Sequence, residues 1–411
     1  MNISIKKIVS KNLCLGCGIC SYDNSIRKLD LNKKKGIYQP KLLNLDYDIA
    51  SKLCPAGGYN IIKESELLFP SKNISLELGR YDQLYAAHSK SSLILKKASS
   101  GGLITEFLIY LLNCKYVDKV AVTKFIYTEN GPSTITFLTD KIDEILEAQG
   151  SKYCPVDVTN VIQEIKETDC KIAYVGTPCQ IAGIRHIQKI DPKFNKNIII
   201  TIANFCGGFK SYNQIKKISQ RHNISYNEIT MLRYRGGGQP GGMKIYDNKG
   251  NYFEASYLKY GGFTGYSKML RCHLCVDATG ELADISFGDA WIDKYLKDSF
   301  PWSIVLTRKK SISSLIEQMS KKNIIVIEQL TEQQVINSQK LNLESKKIRQ
   351  FTRMKLYKAM GFTLPNFDGG YSMNPTPIII EIKVFLLHRI KEILERVGLY
   401  IFFRKLFNKE Y

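Results

Sequence analysis

The stretch Arg271–Trp291, RCHLCVDATGELADISFGDAW, carries the densest chemistry in the chain. Cys272 and Cys275 stand with two residues between them. A tight turn at that spacing puts both sulfurs on one side, where they can reach one metal centre. Three acids follow, Asp277, Glu281 and Asp284, and then a Gly-Asp-Ala-aromatic turn ending at Trp291. Two thiols do not complete a tetrahedral site. Their partners must come from elsewhere in the chain.

Candidates lie upstream. The short apolar run Ile172–Val175 reads as a strand and is followed by Gly176-Thr-Pro-Cys-Gln180, then a helix-like stretch over Ile181–Ile187. A second buried strand, Asn197–Ile202, ends in Asn204-Phe-Cys206-Gly-Gly208. Cys179 and Cys206 thus sit just past the C-terminal ends of successive strands, where open α/β sheets place their ligands. Each alone reads equally as a buried thiol. Together with Cys272 and Cys275 they make a four-thiolate set able to hold an iron–sulfur cluster. Cys154 and Cys170 are reserve ligands, and Cys114, inside a helical run, reads as core.

Near the start, Cys14-Leu-Gly-Cys17-Gly-Ile-Cys20 repeats a thiol every third residue, with Gly16 and Gly18 loosening the backbone. That pattern wraps one corner of a cubane cluster. In a two-cluster ferredoxin a fourth cysteine and a proline would follow; here Asn24 and Ser25 occupy those places. The Cys-Pro appears instead at Cys54-Pro55, with no triplet ahead of it. In the two-cluster layout that cysteine ligates the cluster of the other half's triplet. One complete set therefore remains: Cys14, Cys17, Cys20 and Cys54. The alternatives are a zinc knuckle and a solvated loop.

The 411 residues are 44% hydrophobic, enough for two or three compact domains. The opening MNISIKKIVSKNL lacks an apolar h-region, and no stretch approaches the ~20 apolar residues of a membrane span. A cytoplasmic location is expected, and in a reducing cytosol the eleven cysteines point to metal or redox work rather than disulfides. The net charge of +21 is spread thinly, its longest run being Lys33–Lys35. With no recognition helix or aromatic RNA-binding motif, nucleic acid is excluded as a partner. An acidic electron carrier, an anionic cofactor or a membrane surface fits better.

Several further stretches suit an anionic cofactor. Ala98-Ser-Ser-Gly-Gly102 opens the helical run Leu103–Leu112, and such a turn offers free N–H groups and a positive dipole end to a phosphate. Gly150-Ser-Lys-Tyr153 places a cation beside a ring. The glycine-rich Tyr234–Gly242 loop, flanked by Arg233 and Arg235, reads either as a cover over an anion or as a hairpin loop. Past Tyr371, Ile378–Phe407 spaces Ile382, Leu386, Ile390, Ile393 and Val397 helically, with Lys383, Arg389, Lys391 and Arg396 opposite and Phe402, Phe403, Arg404 and Lys405 closing it. Such a helix can lie on an anionic membrane, or pack on its own domain or a partner subunit.

With these motifs in place, the chain resembles the coenzyme F-420 hydrogenase/dehydrogenase beta-subunit family, which includes 7-hydroxymethyl chlorophyll a reductase. The resemblance runs from about Cys14 to Arg308, through the half-ferredoxin, SSGG at Ser99, GSKY at Gly150, GTPCQIAG at Gly176, CGG at Cys206, and CHLCVD followed by ADISFGDAW. It implies an α/β fold with α+β elements: a half-ferredoxin 4Fe–4S domain over 1–70, an FAD-binding catalytic domain over 80–330, and a helical C-terminal extension over 331–411. By matching motif it implies an FAD site at Ser99, Ser100, Gly101, Gly102, Ser151, Lys152, Tyr153, Thr177 and Gln180. Cys154 stands after GSKY where the resemblance implies a residue that is not a ligand. The expected activity is electron transfer between a ferredoxin or deazaflavin coenzyme and a reducible substrate, with Lys152 and Asp289 as candidates for moving the proton. The alternatives are an electron-transfer subunit of a larger hetero-oligomer and a zinc-stabilised binding module.

Overall fold

Three apolar runs, Ile172–Gly176, Ile198–Asn204 and Ile285–Asp289, lie beside one another as parallel strands, joined by Lys119–Thr128. Their side chains are buried on both faces, as a parallel strand covered by helices on each side requires. The computed structural model describes residues 3–43, 47–237, 240–257 and 268–396. Numbering the main-sheet strands in chain order gives β1 Gln83–Ser89, β2 Lys119–Thr128, β3 Gly131–Thr139, β4 Ile172–Gly176, β5 Ile198–Asn204, β6 Ile285–Asp289, β7 Ser303–Thr307 and β8 Ile325–Gln329. Their spatial order is β8-β1-β7-β6-β5-β4-β2-β3, with antiparallel pairs at both ends. The fold is mixed α/β, as the sequence implies.

One face of the sheet is covered by helix α1, Leu103–Asn113, and by Lys310–Lys321, around Phe107, Leu111, Val122, Ile202, Phe287 and Ile316. The other is covered by helix α2, Pro178–Ile190, and by Thr159–Glu167. Pro178 at the first helical position and Thr177 before it start α2 where the strand ends. The N-terminal segment does not stand apart from this core. Ile19, Leu53, Tyr59 and Ile61 pack with Val161, Ile181 and Ile187, and the Val158 N–H donates to the Cys17 carbonyl at 3.0 Å.

The C-terminal extension folds back over the same region. Helix α3, Gln350–Ala359, carries Arg353, whose guanidinium meets the buried Glu381 of helix α4, Ile378–Arg396, at 2.7 Å; Arg349 adds a second bond at 2.6 Å. Phe385 packs on Tyr357 and Phe362. Helix α4 therefore docks through an ionic and aromatic face. Its aliphatic stripe points outward instead, with Leu386, Ile390 and Ile393 all about half exposed. Val397 and the aromatic-basic ending Phe402–Lys405 lie outside the described residues, as does the side chain of Arg396. Among the described residues no helix is long and apolar enough to cross a membrane.

Candidate functional site

The turns after β1, β4 and β5 open onto one cavity of about 900 Å³. Its lining includes Ser99, Ser100, Gly102, Ser151, Lys152, Tyr153, Thr177 and Gln180 on one side and Cys17, Cys179 and Cys206 on another. Of the sequence-predicted cofactor residues only Gly101 stands behind the wall. There its N–H donates to Ser303 Oγ at 2.9 Å, and its own carbonyl accepts from the Ser89 N–H. A Cβ at Gly101 would come within 2.5 Å of the Ala87 carbonyl oxygen, so only glycine lets the turn lie this close to the sheet. Gly102, at φ +74°, then turns the chain into α1.

The two motifs on the polar wall are tied together. Ser151 donates to Ser99 Oγ through its N–H at 3.2 Å and its hydroxyl at 3.1 Å. Thr177 and Gln180 form the reciprocal cap of α2, the Thr177 N–H donating to Gln180 Oε1 at 2.9 Å. Lys152 donates to the carbonyls of Ala148 and Gln149. Burial brings its ammonium down to about 7, against the pull of Cys154 and helped by Arg233. Asp289, at the end of β6, is held by Arg235, whose guanidinium also donates to the Ser99 carbonyl and lies over the Tyr257 ring at 4.8 Å. The Tyr234–Gly242 loop joins two antiparallel strands, Ile229–Arg233 and Gly242–Asp247, and so is a hairpin loop; it sends Arg235 inward.

The cysteines lie in two groups. Burial, and then the neighbouring Cys54, push the thiols of Cys14, Cys17 and Cys20 upward, Cys14 to about 12. Cys179 is likewise pushed to about 12 by burial and then by Cys206, Cys272 and Cys275. Cys17 and Cys179 also repel each other, so the two groups adjoin. One hydrophobic cluster contains Cys14 and Cys272 with Leu13, Leu274 and Tyr357, and Cys17, Cys54 and Cys179 pack against it. Amide N–H groups face the sulfurs: Gly16 on Cys14 at 3.4 Å, Gly208 on Cys206 at 3.3 Å, and Ala56 and Gly57 on Cys54. Cys275 runs against the trend. Burial would raise it, but Lys346 and Arg271 outweigh burial and bring it below the ordinary thiol range. Buried thiols grouped in fours, with amide donors and cations turned toward them, fit iron–sulfur clusters. Among the described residues no three His, Cys, Asp or Glu side chains gather closely enough for a single metal ion.

Some expectations need correction. Cys114 is not core: it caps the C-terminus of α1 at the surface, its thiol donating to the Leu111 carbonyl at 3.6 Å. The turn expected at Gly288 begins inside β6, since ADISFGD supplies a central strand whose residues are buried among β5 and β7. The Cys14 group is also less superficial than a small separate domain implies: Cys14 is 9% and Cys20 6% exposed. Arg235, singled out in the sequence beside the glycine-rich loop, lines the cavity, whereas the cations Arg271 and Lys346 were missed. Arg271 and Arg235 flank recognised motifs, but nothing in the sequence marks Lys346, which arrives from the extension.

Two family models match, the N-terminal part of the coenzyme F420 hydrogenase/dehydrogenase beta subunit over residues 84–163 and its C-terminal part over 169–333. The chain is 28% identical over 261 residues to the coenzyme F420 hydrogenase subunit beta of Methanococcus voltae, covering 61% of this chain and 85% of that one. It is 23% identical over 348 residues to the coenzyme F420-dependent sulfite reductase of Methanocaldococcus jannaschii, covering 79% of this chain and 49% of that protein. Among solved structures, a chain of the F420-reducing NiFe hydrogenase complex from Methanosarcina barkeri has the same fold, with TM-score 0.55 and 22% identity over 72% of this chain and 99% of that one. Neither family model reaches residues 3–70 or the extension beyond 333.

Proposed function

The chain belongs to the coenzyme F420 hydrogenase/dehydrogenase beta-subunit family, and on that premise we propose that it is an iron–sulfur flavoprotein oxidoreductase. It would pass electrons between a ferredoxin or deazaflavin-type carrier and a reducible substrate. One observation carries the reading: a single cavity is lined both by the SSGG, GSKY and GTPCQ turns and by cysteines of two adjoining buried groups. Cys14, Cys17, Cys20 and Cys54 would hold one 4Fe–4S cluster and Cys179, Cys206, Cys272 and Cys275 a second. Ser99, Ser100, Gly101, Gly102, Ser151, Lys152, Tyr153, Thr177 and Gln180 would hold FAD. A flavin converts two-electron hydride transfer into single electrons, which clusters relay.

The chain's own groups have definite tasks in that scheme. Ser99, Ser100 and Gly102 of the SSGG turn and Lys152 face the cavity and bind anionic oxygens, the Gly101 N–H being held by Ser303, while Arg235 holds the turn at the Ser99 carbonyl. Lys152, with its ammonium near neutrality, can take or give a proton at Nζ. Asp289, the other proton candidate, is engaged by Arg235 and so also fixes that guanidinium. The hydrophobic cluster around Cys14 and Cys272 shields those two sulfurs, while Cys17, Cys179 and Cys206 face the cavity.

A second reading, an electron-transfer subunit working only beside a partner chain, is favoured by the relatives named as beta subunits. The outward stripe of α4 favours contact with a cytoplasmic membrane face or a partner subunit. The test is anaerobic purification with iron, sulfide and flavin counted, followed by a donor–acceptor screen. The reading expects a brown protein that releases FAD on heating. A colourless, flavin-free preparation holding only zinc overturns it. Reduction of a small acceptor by the chain alone separates the free-standing enzyme from the subunit.

A further inference from the structure

Two cations, Arg271 and Lys346, are buried against the cysteine groups, and Lys346 Nζ shares the Asp277 carbonyl with Cys275 Sγ. Arg271 is 1% exposed and reaches both groups. Its Nε donates to the Ala56 carbonyl at 2.9 Å and its Nη2 to the Pro55 carbonyl at 2.8 Å, in the turn that follows Cys54. The same guanidinium acts electrostatically on Cys275 and Cys179 and lies over the Phe367 ring at 4.7 Å. Lys346, 2% exposed, enters from the opposite side. Its Nζ donates to the Asp277 carbonyl at 2.6 Å, and its charge acts on Cys275, Cys206 and Cys272. Among the described residues neither cation lies in an ion pair with a carboxylate.

A buried charge left unbalanced is costly, and carbonyl dipoles alone do not neutralise it. The anions that act on these two cations are mainly the thiolates, with the Asp277 carboxylate adding to them at Lys346. A cluster with four thiolate ligands carries net negative charge, and its reduction adds one more. Cations fixed nearby therefore favour the reduced form and raise the potential. The two cations are not equally shared. Lys346 acts on Cys275, Cys206 and Cys272 of the second group, whereas Arg271 acts on Cys275 and Cys179 and also touches the backbone of the Cys54 turn.

We propose that Lys346 and Arg271 are fixed counter-charges that raise the reduction potential of the second cluster, Arg271 also clamping the Cys54 turn of the first against it. This rests on the iron–sulfur reading above. They are positioning residues: neither lines the cavity, and both act through the sulfurs. The gradient they create runs toward Cys179 and Cys206, the members of the second group that face the cavity. An electron arriving at the first cluster would settle beside the place where the substrate is reduced.

The experiment is anaerobic potentiometric titration of the full-length holoprotein, followed by electron paramagnetic resonance. In Lys346→Gln, which keeps a donor for the Asp277 carbonyl, one midpoint should fall by about 59 mV or more, a tenfold loss in the one-electron reduction equilibrium. The other midpoint should stay. Lys346→Arg should restore the wild-type value, which a merely structural role would not predict. Arg271→Gln should move both midpoints downward. Wild-type-like midpoints in an iron-replete Lys346→Gln protein overturn the proposal and leave the iron–sulfur reading standing. If Lys346→Gln loads iron poorly, Lys346→Arg and Arg271→Gln decide: unequal midpoints between those two support it, and equal ones overturn it. A wild-type protein without iron overturns both.

Discussion

Replacing Gly101 by alanine tests how closely the SSGG turn must approach the sheet. The new Cβ would lie 2.5 Å from the Ala87 carbonyl oxygen and 2.9 Å from the Ser303 nitrogen. These atoms belong to paired residues of β1 and β7, so neither can give way without breaking the ladder. The turn must retreat toward the cavity instead. Retreat strains two bonds to Ser303 Oγ, from the Gly101 N–H and with Ser100 Oγ, each 2.9 Å long. At about 1 kcal/mol apiece, restoring them on binding costs about 2 kcal/mol, which weakens FAD affinity on the order of thirtyfold. The assay is a fluorescence titration of flavin-depleted protein with FAD. Gly207→Ala is the control, since its Cβ would meet only Asn342 Oδ1, at 3.7 Å, in the same cavity. Wild-type affinity in Gly101→Ala refutes the reasoning.

Three other outcomes are expected. Cys54→Ser and Cys272→Ser should each lower bound iron from about eight to about four atoms per chain, measured by iron and sulfide analysis under argon. Affinity for an anionic ligand such as FAD should be greatest below pH 7, where Lys152 is charged, and should fall as pH rises above its value of about 7, because binding must then recruit a proton. Calorimetry in buffers of different ionisation enthalpy should record proton uptake at pH 8, and Lys152→Met should abolish most of it. Glu381→Gln should lower stability by about 3 kcal/mol, because Arg349 and Arg353 lose the carboxylate both hold; chemical denaturation reads this directly.

The sequence made the sheet legible where strands are short and apolar and end in glycine-rich turns. Ile172–Gly176 and Ile198–Asn204 fall within two residues of their expected limits because burial on both faces leaves an uninterrupted apolar run. Ile285–Asp289 was hidden by the acids and glycine around it, whose charges are answered only in three dimensions: Asp284 by Arg185 and Lys309, and Asp289 by Arg235. The Cys14–Cys20 triplet and the Cys272–Cys275 pair were legible because thiols recur there at fixed short spacing. Their counter-charges were not. A lysine such as Lys346 looks like any surface lysine until the chain that carries it folds back. The same holds for α4, whose apolar spacing announces a helix but not which side is covered. Glu381 and Phe385 decide that.

The enclosure shared by the two cysteine groups has a consequence for how the protein is made. Cys14 to Cys54 leave the ribosome first, but their surroundings are completed only by Cys272, Leu274 and Tyr357, with Phe385 packing on last. For most of synthesis those early sulfurs stand open to a delivery system. Once Phe385 is seated, Cys14 and Cys20 are buried while Cys17 still lines the cavity. Any iron held by these thiols would therefore reach them most freely before the extension up to Phe385 takes its place.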